Sequence, residues 1–202
     1  MKNWERYYEE YYCRVMVEKF LPQYNFEKSE RPDWIDKRNN IGMECTIAQV
    51  NDDYKTALMY SEYINGKCRN PEKRLDDLNK KGEVTEWFFV HEATDGNALP
   101  SLQMELRKKL VKLNENTYQR FNDNWLAFYL ENPIQEWHIK QYKQGLKNTQ
   151  QEFQVKFNKI LICGNCLADM DMNSDVFKLY KLKSQGDFAE QVKDIAIQEE
   201  GN

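Results

Sequence analysis

Long apolar runs are missing from this chain. None approaches the roughly 20 residues needed to span a bilayer, so the reading is of a protein without membrane segments. The opening residues, Met-Lys-Asn-Trp-Glu-Arg-Tyr-Tyr, lack the apolar stretch of a secretory signal, and a cytoplasmic location is expected. Glycine and proline are scarce, at 8 and 5 of 202 residues, which argues against linkers and low-complexity tracts. There is no Gly-rich phosphate loop and no Gly-x-Ser-x-Gly elbow. Histidine occurs twice, at His91 and His138, too far apart to suggest a metal pair. The five cysteines are odd in number and scattered, which reads as reduced thiols. One pair forms Cys163-Gly164-Asn165-Cys166, but no second pair exists to complete a zinc site. Two free thiols at a strand end is the favoured reading.

Strong basic charge is also lacking. The formal net charge is −4, unlike a free-standing nucleic-acid binder. It is unevenly spread: residues 1–100 carry −4, residues 101–183 carry +4, and the tail from 184 carries −4. The basic middle could face phosphates, and a solvated helix face explains it as well.

What the chain does have is Arg31-Pro32-Asp33-Trp34-Ile35, a polar turn Asp36-Lys37-Arg38-Asn39-Asn40, then Ile41-Gly42-Met43-Glu44-Cys45-Thr46. Both flanking segments read as strands. If they pair as a hairpin, Asp33 and Glu44 converge at one sheet edge. Two such carboxylates resist joint ionisation. A hard divalent cation relieves that repulsion, because it takes oxygen ligands. Such an ion activates water and stabilises a phosphoryl transition state. A plain hairpin with one turn-starting Asp and one edge Glu is the simpler alternative.

The rest of the chain supplies the frame. Trp4, Tyr8, Tyr11 and Val15 form an apolar stripe, which predicts a helix over Asn3–Phe20, ended by Pro22. A short strand is expected at residues 24–27. After residues 33–35 and 41–48 comes a stretch at about 50–98 that reads as an insertion. Leu102, Leu106, Leu110 and Leu113 mark a buried helix face over residues 101–117, with Arg107, Lys108, Lys109 and Lys112 around it. Residues 125–130 read as a buried strand, 136–153 as a helix and 159–163 as the final buried strand. Asp169-Met170-Asp171 reads as an acidic turn. Residues 177–182 fit a strand or a helix.

The Pro-Asp, the spacer and the later Glu resemble the PD-(D/E)XK nuclease superfamily. That resemblance implies a restriction-endonuclease-like α/β fold in a single domain over 1–202. Its αβββαβ core is a central mixed sheet flanked by helices, with the insertion following the third strand. It also implies Mg²⁺ or Mn²⁺ as cofactor, nucleic acid as partner and phosphodiester hydrolysis as activity. Asp33 and Glu44 would hold the metal, with the main-chain carbonyl of Cys45 as a further ligand. The motif lysine, however, is replaced by Thr46. Thr46 donates a hydrogen bond but brings no charge. Gln49 and Lys55 lie just beyond the strand, and Lys55 could supply the ammonium from another place. The family's first-helix glutamate falls to Glu5, Glu9, Glu10 or Glu18, with Glu10 favoured. The competing expectation is a catalytically inactive fold kept as a binding or interaction module. Oligomeric state is left open.

Overall fold

A computed structural model describes residues 3–48, 98–115, 119–130, 134 and 136–201. Secondary-structure elements are numbered within these residues. The order is α1 (Asn3–Phe20), β1 (Glu27–Lys28), β2 (Trp34–Asp36), β3 (Ile41–Ile47), α2 (Leu99–Leu113), β4 (Asp123–Tyr129) and α3 (Glu136–Thr149). A 3₁₀ turn (Gln150–Glu152), β5 (Lys159–Cys163), β6 (Cys166–Asp171), β7 (Phe177–Lys181) and α4 (Gln185–Glu200) follow. The strands form one open mixed sheet in the order β1-β2-β3-β4-β5-β6-β7. β3, β4 and β5 run parallel to one another, and the other neighbours are antiparallel.

The parallel centre follows from the sequence. Trp125-Leu126-Ala127-Phe128 is apolar at every position, as a strand covered on both faces must be. Its side chains alternate between two cores. Trp125 and Ala127 join Trp34, Met43 and Cys45 under α1 and α4. Leu126 and Phe128 join Leu102, Leu106 and Leu110 under α2 and α3. The leucine stripe of α2 is fully buried, as its spacing predicts. The α1 face is tied to the C-terminal helix by charge. Arg14 donates to both oxygens of Glu199, at 3.0 and 2.7 Å, and Tyr11 donates to Glu200 at 2.7 Å.

Three expectations are corrected. Residues 159–163 are not the last strand, because β6 and β7 extend the sheet beyond them. Asp169-Met170-Asp171 is no turn but the end of β6. Alternation hides it: Met170 packs in the core while Asp169 pairs with Lys159 at 2.9 Å. The acidic tail is a helix, α4, whose Phe188, Val192 and Ala196 are buried at i, i+4, i+8 spacing. Residues 177–182 resolve as strand β7. The Cys163/Cys166 pair sits at the β5–β6 hairpin, and both thiols are free and buried. The insertion expected at about 50–98 lies almost wholly outside the described residues. Among the described residues, no helix is long and apolar enough to cross a membrane.

Candidate active site

The β2–β3 hairpin builds the site. Asp36 closes its turn by accepting from the Asn39 backbone N–H at 3.0 Å and from Asn39 Nδ2 at 2.7 Å. Burial works against the Asp36 charge, but these bonds and one from the Asn25 N–H hold its carboxyl below the usual range. Asn40 takes the left-handed conformation that ends the turn, which asparagine tolerates better than most residues. The strands then pair as Asp36↔Ile41, Ile35↔Gly42 and Trp34↔Met43. Asp33 directly precedes β2, and Glu44 directly follows Met43, the partner of Trp34, so the two carboxylates stand at the same end of the hairpin.

Gly42 is required by what lies over it. A Cβ there would stand 2.5 Å from the Phe121 ring and 2.8 Å from Pro32 Cγ. The bare backbone lets Pro32 and Phe121 close down beside the motif, which seats Asp33 next to β3.

Asp33 is locked by its own strand neighbour. The Cys45 N–H donates to Asp33 Oδ2 at 2.7 Å. In a strand, the N–H and C=O of one residue leave by the same edge. The Cys45 carbonyl therefore opens on the Asp33 side, past the end of β2. The Cys45 thiol points the other way, into the core under α1, where burial pushes its pKa well up. Only its carbonyl is available as a ligand.

Glu44 lies on the opposite face of β3, toward α2, and is 7% exposed. A buried carboxylate demands a partner. Lys109 Nζ of α2 donates to Glu44 Oε1 at 2.6 Å. Burial disfavours the Lys109 charge, but the Glu44 charge and hydrogen bond outweigh it and hold that pKa above the ordinary lysine value. Asp33, Glu44, Lys109 and Lys112 border one cleft of about 410 Å³.

The cleft is crowded with negative charge. Burial first, then Glu44, raises the Asp33 pKa to about 6, against the Cys45 hydrogen bond and the Lys109 charge. Glu10 approaches Asp33 from α1 but does not line the cleft. Burial and then Asp33 raise its pKa to about 7, with Glu44 adding to the effect and Lys28 and Lys109 opposing it. Of the first-helix glutamates, Glu10 couples to the motif. Glu18 instead accepts from the Phe26 N–H at 2.9 Å, and Glu5 and Glu9 border a groove between α1 and α4.

The structure thus brings Asp33, Glu44, the Cys45 backbone and Glu10 into one electrostatic cluster. Thr46 is half-buried on the same face of β3 as Glu44 but does not line the cleft. Gln49 and Lys55 lie outside the described residues. Lys109 was missed by the sequence reading, yet a faint signal exists. At about 100° per residue, Lys109 falls beside the leucine stripe, whereas Lys108 falls away from it. In the fold Lys109 is half-buried and Lys108 exposed.

No family model, curated protein or solved structure matches this chain. The site must be read from its own chemistry. The oxygens that could hold a cation there are the Asp33 and Glu44 carboxylates and the Cys45 carbonyl, hard donors of the kind Mg²⁺ or Mn²⁺ takes. Among the described residues, no three His, Cys, Asp or Glu side chains gather as a metal cage.

Proposed function

We propose that this chain is a metal-dependent nuclease with a restriction-endonuclease-like core. The observation that carries the reading is the Lys109–Glu44 contact at 2.6 Å beside Asp33. Thr46 stands where the motif lysine is expected, and α2 brings an ammonium to Glu44 from the face that Glu44 points to. The helix, three antiparallel-paired strands, helix and parallel strand supply the order of elements that the resemblance implies.

Asp33, Glu44 and the Cys45 carbonyl would hold Mg²⁺ or Mn²⁺. Bound there, the ion supplies Lewis acidity toward a phosphoryl oxygen. The protein's own groups do the rest. The Cys45 N–H fixes one Asp33 oxygen. Lys109 orients Glu44 and sets a positive charge where negative charge grows in the transition state. Glu10 adds a third carboxylate beside Asp33.

Thr46 and the net charge of −4 favour a second reading, a non-catalytic binding module on the same fold. Glu44→Gln separates the two. The amide keeps the shape and still accepts from Lys109, but loses the charge that binds a cation. Calorimetric titration with Mn²⁺ should show heat for the wild type and none for the variant. Cleavage of mixed DNA and RNA should require the divalent ion and vanish in Glu44→Gln. A wild type that binds Mn²⁺ but never cleaves supports the module; equal cleavage by both proteins refutes the site.

A further inference from the structure

Two cations border the cleft without a direct ion pair to its carboxylates. Lys112 lies one turn after Lys109 on α2, and Arg31 sits in the loop that leads into Asp33. That loop is held by the Ser29 N–H donating to the Asp33 carbonyl at 2.8 Å. Both side chains are exposed, and neither has an ion-pair partner among the described residues. The neighbouring cations differ. Lys109 is committed to Glu44, and Lys108, on the outer side of α2, pairs with Glu105 at 2.6 Å.

The charge of the lining decides when these cations can act. Arg31, Lys109 and Lys112 face four carboxylates, Glu30, Asp33, Glu44 and Glu115. The bare cleft is therefore net negative and repels a phosphate. One divalent ion on Asp33 and Glu44 reverses the sign.

We infer that Arg31 and Lys112 form a clamp for the phosphodiesters flanking the reacting one, holding a polynucleotide only once the divalent ion is in place. This rests on the nuclease reading. The polynucleotide follows from the nuclease reading, and the two cations approach it from different elements on the cleft rim. Contacts of this kind are independent of base sequence and dependent on salt.

The test is fluorescence anisotropy of a labelled DNA duplex and a labelled single strand across a salt series, with Ca²⁺ or with chelator. Wild type should bind with Ca²⁺ and release with chelator. Lys112→Gln and Arg31→Gln should each lower the slope of log affinity against log salt by about 1, and the double variant by about 2. Lys108→Gln changes the same charge on the same helix and should leave the slope as it was. Calorimetry should show Ca²⁺ affinity kept or raised in Lys112→Gln, since that ammonium lies near Asp33. Unchanged slopes in both clamp variants, an equal drop in Lys108→Gln, or binding indifferent to Ca²⁺ would each overturn the clamp. Wild type that takes up Ca²⁺ but binds neither nucleic acid overturns the clamp and leaves the metal site standing. Wild type that gives no heat with Ca²⁺ removes the nuclease reading itself.

Discussion

Replacing Lys109 with methionine separates the two roles that its ammonium can have. The side chains of Lys109 and Glu44 are 16% and 9% exposed, so their ion pair is largely withdrawn from water. Breaking a fully buried pair by removing one partner costs about 3–5 kcal/mol, because the other charge is left uncompensated. The residual water contact here lowers that to about 2–3 kcal/mol. For a chain of this size the metal-free melting temperature should fall by about 4–12 °C. The cluster of Glu10, Asp33 and Glu44 then carries its negative charge with one fewer cation. A divalent ion should bind more tightly, by on the order of 10-fold, equivalent to about 1.4 kcal/mol. Saturating Ca²⁺ at about 100 times its dissociation constant should return about 2.7 kcal/mol of stability. Cleavage moves the other way. Loss of a charge preorganised for the transition state should cost about 10²–10³ in rate. The assay is a thermal melt with and without Ca²⁺, calorimetric titration, and Mg²⁺-dependent cleavage on the same preparation. Weaker metal binding in Lys109→Met would show that the ammonium supports the ligands rather than competing with the ion. Unreduced cleavage would refute its role as the displaced motif lysine.

Two further outcomes are expected. The carboxyls of Asp33 and Glu10 are raised to about 6 and about 7 in the fold, above their ordinary values of 3.8 and 4.5. Between about pH 4 and pH 7 the native state therefore binds more protons than the unfolded chain, and metal-free stability falls as pH rises through that window. Both groups see some water, so the combined loss should be about 2 kcal/mol. Urea denaturation at several pH values in chelator should show the decline, and Ca²⁺ should flatten it; stability rising across the window would refute the crowding of charge. Leu106→Ala should cost about 2–5 kcal/mol, since this leucine is fully buried between α2 and the sheet. An unchanged denaturation midpoint would show that α2 is not a core helix.

Periodicity made the frame readable in advance. The α1 stripe ended by Pro22, the α2 leucines and the all-apolar run at Trp125 each bury a face that local spacing alone specifies. The Asp33/Glu44 hairpin was legible for the same reason, because Pro32, the polar turn and Gly42 are local signals. β6 was not, because Asp169 and Asp171 flank a buried Met170 and resemble a turn until Lys159 is seen opposite. The acidic C-terminal segment looked like a tail because its sparse apolar positions have meaning only against α1.

The sequence by itself determined which carboxylates could meet, since a hairpin register is a short-range property. Only the tertiary structure decided which cation meets them. Lys109 is 65 positions from Glu44, and many lysines in the chain look alike to any local pattern. What singles it out is the packing of α2 on the sheet, set by leucines buried with β4 and β5 residues, which leaves the ammonium beside Glu44 at the rim of the cleft.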